Sequence, residues 1–188
     1  MDFEAQRLEH ALAFHCAPSL AGIKPADLIS WNLPEQEGER LLAGYISLLG
    51  QRGVCLRVLQ CQGRRCLLLL YRPQLLDDWL ARQPVADMLR REGYPVAAGR
   101  EPMLCTLAQR LSDQEFPHEI GLFLGYPPAD VEGFRRNRGR NWKLSGLWKV
   151  YDQVEEAAQR FRDIHLCRAS LCAQLAQGKT LAQLLAPM

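Results

Sequence analysis

The longest nearly uninterrupted apolar run in this sequence of 188 residues is six residues long and lies at positions 66–71. A membrane-spanning helix needs about 20 apolar residues, so this run is too short to cross a bilayer. It has the length of a β-strand, and Leu67 to Leu70 place apolar side chains on both faces of such a strand. The run therefore predicts the central strand of a small sheet, covered on both sides.

A β-hairpin is predicted around this run. Residues 53–60 and 64–71 are rich in bulky apolar side chains, and the turn that contains Gly63 favours an antiparallel connection between them. With a four-residue loop, Cys61 and Cys66 would face each other across its base. They are interpreted as two ordinary strand cysteines or, alternatively, as a redox-sensitive or metal-contacting pair.

The cysteines and the start of the sequence indicate the compartment. The seven cysteines include no Cys-x-x-Cys pair, which excludes the thioredoxin motif and the usual zinc ribbon. Most of them are expected to be free thiols in a reducing compartment. Because the first residues are acidic and lack the basic and apolar stretches of a signal peptide, the protein is expected to be soluble and cytoplasmic.

Helical patterns surround the hairpin. Helices are predicted at 3–14, 34–49, 75–82, 85–92, 103–111, 127–139, 153–176 and 179–185, and further strands at 26–31 and 144–151. Residues 116–126 can form a buried strand or a helix that tolerates glycine, and Pro117 followed by Glu119 favours a helix start. The chain is therefore expected to be a single α+β domain over residues 1–188, in which helices cover a small mixed or antiparallel sheet. A long C-terminal helix is followed by a short helical tail at 176–188.

The first candidate site is the segment His15-Cys16-Ala-Pro-Ser-Leu-Ala-Gly-Ile-Lys24. Pro18 disfavours helix at the preceding residue, so the first helix is expected to end here and Cys16 to lie just before a further helical turn. Amide dipoles at the start of such a turn stabilise a thiolate. Cys16 is therefore a candidate nucleophile or soft-metal ligand, with His15 as base or ligand and Lys24 as a neighbouring charge. The alternative is a helix joint in which Cys16 packs in the core.

The second candidate site is the segment 116–128. His118 and Glu119 are candidate catalytic residues and His118 a candidate metal ligand, but on a helix their side chains point about 100° apart. They are thus not a ready-made acid/base pair, and the sequence has no His-Glu-x-x-His zinc motif. Gly121 and Gly125 would leave one face of a helix bare, which suits close packing or a flat ligand beside Tyr126, a candidate binding residue.

The third candidate site is a basic segment. No acidic residue occurs between Glu132 and Asp152, and this stretch has six basic side chains, those of Arg135, Arg136, Arg138, Arg140, Lys143 and Lys149. Basic residues interleaved with Trp and Asn can bind phosphate or a nucleic-acid backbone. The formal net charge of +2 is too small for a dedicated nucleic-acid binder. Arg138 and Lys149 are therefore candidate residues for a small anionic ligand, and a solvated loop is the alternative.

The last helix carries two further candidate metal ligands, Cys167 and Cys172. Residues five apart on a helix point about 140° apart, so one undistorted helix cannot supply both thiolates to one metal. Either could bind a metal only with a partner from elsewhere, such as Cys16 or His118. Packing is the alternative role.

Four phrases of the sequence, at residues 15–24, 116–127, 130–134 and 146–151, resemble a bacterial domain-of-unknown-function family, number 3793, which is widespread in anaerobes. The likeness spans nearly the whole chain. It implies a small cytoplasmic bacterial protein and carries over no activity, reaction or cofactor. It selects the same segments as the residue chemistry and so adds weight to His15, Cys16 and His118.

Three functional hypotheses follow. The leading one is a non-catalytic binding or accessory protein of redox or metal metabolism, with a cleft where residues 15–16 meet the His118 segment under the last helix. Its ligand would be a metal ion, an iron-containing cofactor, a redox partner protein or a small anionic ligand. Neither a membrane nor nucleic acid is expected as a partner. The second is an enzyme with Cys16 as nucleophile, His15 or His118 as base, and Glu119 as orienter. The third is an anion or nucleic-acid binding module that uses residues 135–149.

Overall fold

A three-stranded antiparallel sheet, a two-stranded sheet and surrounding helices make up the computed structural model, which describes residues 3–113 and 116–185. The predicted α+β class, with small antiparallel sheets and a long C-terminal helix, is confirmed. The helices are α1 (Phe3–Leu20), α2 (Gly38–Gly50), α3 (Pro73–Leu80), α4 (Gln83–Arg91), α5 (Arg100–Leu111), α6 (Ile120–Phe123), α7 (Pro128–Arg136), α8 (Val154–Ala176) and α9 (Leu181–Leu184), and the strands are β1 (Ala26–Asn32), β2 (Cys55–Gln62), β3 (Arg65–Tyr71), β4 (Leu144–Ser145) and β5 (Lys149–Val150).

The chain divides into two units. The first consists of the described residues up to Leu75 and from Leu166 onward, and the second runs from Leu76 to His165. The boundaries fall inside α3 and α8, so each of these helices contributes to both units. The expectation of a single domain over residues 1–188 stays a prediction. Within the described part of the chain, no helix combines the length and apolar character needed to cross a membrane.

The three-stranded sheet of the first unit has the order β1-β3-β2. Its central strand β3 contains the apolar run, and Leu68, Leu69 and Leu70 are all fully buried. Because successive strand residues point to opposite faces, this burial means that both faces of β3 are covered, as the run predicts.

The core of the first unit lies between this sheet and helices α1 and α2. The prediction that the first helix ends near His15 is wrong, because α1 continues to Leu20 with Pro18 inside its last turn. Leu12, Cys16 and Leu20 stand four residues apart and are buried in this core, so packing holds the last turn helical. Pro18 has no N–H to donate to the carbonyl of Phe14, four residues earlier in the helix. Phe14 is an exposed residue.

Two local predictions in the second unit need correction. Residues 116–126 contain the short helix α6, which favours the helical alternative, but the helix ends before Gly125, whose φ of +76° is left-handed. Residues 144–151 form a hairpin of two-residue strands rather than one strand. The chain turns at Gly146, where a Cβ atom would lie 2.2 Å from Cε2 of Phe161, so the close approach of this ring requires glycine.

Candidate ligand pocket

A cavity of about 220 Å³ lies within the second unit. Three segments line it: the chain around α6, the buried side of α7, and the β4–β5 hairpin. The side chains that matter for its chemistry are those of Phe116, His118, Tyr126, Asp130, Phe134, Trp148 and Lys149. The structure therefore brings two candidate sites together, since His118 and Tyr126 of the second line the same pocket as Lys149 of the third.

Aromatic rings form the walls of this pocket. Tyr126 stacks on Trp148 with their ring centroids 4.9 Å apart and their planes 26° apart. Trp148 in turn meets Phe161 edge to face at 4.5 Å, which fixes the indole from its other side. Among the other lining residues, the ring of His118 lies 5.0 Å from that of Phe134. The walls are thus flat surfaces held by contacts among themselves.

Asp130 holds the indole of Trp148 in place. Its Oδ2 accepts a hydrogen bond of 2.7 Å from the indole Nε1. Its Oδ1 accepts bonds from the backbone N–H groups of Tyr151, at 2.7 Å, and Asp152, at 3.1 Å. Asp130 is only 3% exposed, so these three donors replace the water that a carboxylate needs. It therefore ties α7 to the hairpin and orients the main wall of the pocket.

Sequence reasoning did not single out Asp130. One signal could have suggested it, since an acidic residue that follows the Pro127-Pro128 start of a helix is well placed to accept backbone N–H groups. Its indole partner, eighteen residues further along the chain, could not be identified from the sequence.

The two glycines of the second candidate site do not form the bare helix face that their spacing suggests. Gly125 lies beyond the end of α6, and only Gly121 belongs to the helix. A Cβ atom at Gly121 would lie 3.0 Å from side-chain atoms of both Tyr126 and Val131. Gly121 thus serves close packing and lets Tyr126 fold back toward Trp148.

Two nitrogen-bearing side chains, those of Lys149 and His118, belong to the lining of the pocket. Lys149 lines the pocket, donates a hydrogen bond of 2.9 Å to Oγ of Ser145, and has its Nζ 4.5 Å from the ring centroid of Trp142, which is itself exposed. His118 is exposed at the same pocket. Both side chains are therefore available to a bound molecule.

Glu119 is hydrogen-bonded to residues other than His118. Its buried carboxylate accepts hydrogen bonds from the Arg110 guanidinium, at 2.6 Å, and from the Tyr94 hydroxyl, at 3.1 Å. Burial, followed by the charge and hydrogen bond of Glu119, raises the pKa of Tyr94 above its ordinary value. Glu119 is thus engaged in a partly buried ion pair that joins α5 to the chain before α6, and it is not among the residues that line the pocket.

Cys16 lies in the first unit, in the C-terminal part of α1, and is completely buried. Burial raises the pKa of its thiol well above the ordinary value, and the nearby Asp27 carboxylate acts in the same direction, opposed by Lys24. These surroundings stabilise the neutral thiol, in contrast to the thiolate expected at the start of a helical turn. A nucleophilic role for Cys16 stays a prediction without support from its environment.

Lys24 belongs to a buried polar network. Its Nζ lies 2.5 Å from Oδ1 of Asp27, and Oδ2 of the same carboxylate accepts a hydrogen bond of 2.7 Å from the hydroxyl of Ser19. All three residues are buried. Because the network joins the last turn of α1 to Asp27 near the start of β1, Lys24 has a structural role here.

The other candidate metal ligands are dispersed. His15 is exposed and stacks edge to face on Phe14. The Cys167 thiol donates to the carbonyl of Ala17 at 3.5 Å, and burial raises its pKa. Cys172 is half-buried on α8. Among residues 3–113 and 116–185, no group of three or more His, Cys, Asp or Glu side chains is arranged to hold a metal ion.

Cys61 and Cys66 are directly opposite each other in the β2–β3 register, as predicted, and are joined by a disulfide. The loop between the strands is shorter than expected. Gln62 and Arg65 still pair, so only Gly63 and Arg64 form the turn, with Gly63 in the left-handed conformation at φ +58°.

The fold and the pocket define a class of protein: a helix-rich α+β chain with an aromatic cavity built from α6, α7 and a short hairpin. The chain belongs to the family of proteins of unknown function DUF3793, whose family model matches residues 12–185, and the resemblance stated from the sequence is confirmed. A search of curated proteins and a search of solved structures found no match.

Proposed function

We propose that this protein is a non-catalytic binding protein that holds a small, flat, largely apolar ligand in the pocket of its second unit. One observation carries the proposal. Three of the four phrases that link the chain to its family, at residues 116–127, 130–134 and 146–151, supply the side chains that line this pocket. Segments far apart in the sequence thus converge on one cavity.

The shape and lining of the pocket support a flat ligand. Drug-sized ligands occupy pockets of roughly 300–1,000 Å³. A cavity of about 220 Å³ therefore suits a smaller molecule, of one or two fused rings. Aromatic walls offer such a ring offset-stacked and edge-to-face contacts. Because contacts with their neighbours already hold Tyr126, Phe134 and Trp148, binding would cost little side-chain conformational entropy at these rings.

The polar groups at the pocket favour binding over catalysis. Nucleophilic catalysis requires a nucleophile hydrogen-bonded to a base that a third group orients. At the pocket, Asp130 already accepts three hydrogen bonds that secure the fold. Glu119, which does not line the pocket, pairs with Arg110. The link to redox or metal metabolism, a redox partner protein and the cytoplasmic location stay predictions from the sequence.

The test is calorimetric titration with 2-naphthamide, a neutral two-ring probe. We expect saturable one-to-one binding to the unaltered protein. Phe116→Ala removes a pocket wall that is 55% exposed, and Phe14→Ala removes a ring of similar exposure, 50%, in the first unit. Loss of an aromatic contact of about 1 kcal/mol weakens binding about fivefold, so the affinity should fall in Phe116→Ala and not in Phe14→Ala.

Two outcomes would contradict the proposal. Absence of saturable binding to the unaltered protein would exclude this pocket for flat apolar ligands. Equal loss of affinity in Phe116→Ala and Phe14→Ala would mean that the probe binds elsewhere or that both variants perturb the fold. Circular dichroism of each variant distinguishes these two explanations.

A further inference from the structure

We infer that the ligand of this pocket is an aromatic carboxylate whose anionic group is bound by Lys149. This inference rests on the proposed function and adds the charge and chemical class of the ligand. It is carried by the distribution of charge around the pocket, by the position of Lys149, and by the contact of the basic segment with a residue that lines the pocket.

The basic segment carries more positive charge than its neighbours compensate. Arg135 pairs with Glu92 and Arg136 with Glu132. The other four basic residues form no ion pair with any residue in 3–113 or 116–185; they are Arg138, Arg140, Lys143 and Lys149. Since no acidic residue lies between Glu132 and Asp152, the segment itself supplies no counter-charge.

Lys149 is the member of this set that lines the pocket. Its contacts are with neutral groups, the Ser145 hydroxyl and the face of the Trp142 ring. An ammonium group has three donors, and the described contacts use one of them for a hydrogen bond. Lys149 is thus held by neutral groups that leave its charge uncompensated.

The basic segment also contacts one residue that lines the pocket. A Cβ atom at Gly139 would lie 3.1 Å from ring atoms of Phe134, so the chain passes close to this ring. Arg138 and Arg140 are the exposed neighbours of Gly139 in the chain, although neither lines the pocket. Their positive field attracts an anion toward Lys149 and raises the rate of association.

The acidic residue at the pocket forms no ion pair with Lys149 within residues 3–113 and 116–185. The oxygens of Asp130 accept the Trp148 indole and two backbone N–H groups, so the carboxylate is held by these donors. The surrounding rings lower the local dielectric constant, which strengthens a hydrogen bond between Lys149 and a carboxylate. A carboxylate attached to a flat ring would place its ring against Trp148 and its charge at Lys149.

The test compares 2-naphthoate with 2-naphthamide, two probes of nearly equal shape that differ in charge. A charge-assisted hydrogen bond predicts about tenfold tighter binding of 2-naphthoate to the unaltered protein. Lys149→Gln should reduce the affinity ratio to about one, and Lys149→Arg should restore most of it. Lys179→Gln is the matched control, because Lys179 also donates to a neutral side chain, that of Gln174, but lies in the first unit. It should keep the ratio.

The outcomes separate this inference from the proposed function. If 2-naphthamide binds but 2-naphthoate is not preferred, or if the preference survives in Lys149→Gln, the carboxylate assignment is overturned and the binding function stands. If neither probe binds the unaltered protein, the proposed function fails and the inference fails with it. A preference that decreases as salt is raised and disappears in Lys149→Gln would support both.

Discussion

Replacing Asp130 by asparagine should destabilise the second unit by about 2–3 kcal/mol, because an amide cannot satisfy the three donors that face this side chain. The two carboxylate oxygens accept the Trp148 indole on one side and the backbone N–H groups of Tyr151 and Asp152 on the other. Asparagine has one acceptor oxygen and one NH₂ donor. If its oxygen accepts the backbone N–H groups of Tyr151 and Asp152, its NH₂ group faces the indole N–H, and two donors then meet without an acceptor.

The magnitude follows from the bonds that are lost. A hydrogen bond to a charged group contributes about 1.5–3 kcal/mol, and a buried donor left without an acceptor costs about 1–3 kcal/mol. Trp148 is 8% exposed, so water cannot replace the carboxylate. Loss of the indole bond alone therefore accounts for about 2–3 kcal/mol, and the opposite amide orientation, which sacrifices both backbone bonds, would cost more.

A double-mutant cycle isolates this interaction. Trp148→Phe removes the indole donor, so Asp130→Asn in that background should cost little, and the coupling free energy should be about 2 kcal/mol. The free energy of unfolding is measured with urea and followed by circular dichroism. Asp113→Asn, at an exposed position, is the control and should change it by less than about 0.5 kcal/mol. A coupling below about 0.5 kcal/mol would refute the claim that Asp130 holds the indole.

Three further predictions concern other parts of the chain. In the native protein at pH 8, iodoacetamide should alkylate the exposed Cys105 well before Cys16, and rapid native alkylation of Cys16 would instead support the enzyme hypothesis. Because the folded chain retains the Cys16 proton that the unfolded chain releases, the free energy of unfolding should fall above the ordinary thiol pKa of 9.0, by up to about 1.4 kcal/mol per pH unit. Gly133→Ala should lower the free energy of unfolding by about 1–3 kcal/mol, since its Cβ would lie 2.4 Å from Cγ of Tyr151. Gly44→Ala, with open space around it, should instead stabilise α2 by about 0.5–1 kcal/mol. Equal effects of the two variants in urea unfolding would contradict this packing. Reduction of the β2–β3 disulfide should lower the free energy of unfolding by about 2 kcal/mol, because the loop it closes is short, and a thiol count on protein isolated under denaturing conditions would show whether the bond forms in the cell.

The sequence predicted best where structure depends on neighbours along the chain. The run at residues 66–71 predicted the central strand, and the glycine turn beside it predicted the hairpin and the facing cysteines, because side-chain alternation and turn geometry are local properties. It predicted poorly where tertiary packing overrides a local preference. Pro18 does not end α1, because the core holds Leu20 in the last turn, and residues 144–151 bend because Gly146 lies under Phe161.

The candidate site shows the same division. Residue chemistry identified His118 as a candidate catalytic residue or metal ligand and Tyr126 as a binding candidate in one segment, and Lys149 as a binding candidate in another. Their meeting in one pocket depends on Asp130, which joins two elements eighteen residues apart through its bond to Trp148. A carboxylate at the start of a helix has many possible donors, and only the tertiary structure selects among them, because burial removes water and obliges each polar group to find a partner within the fold.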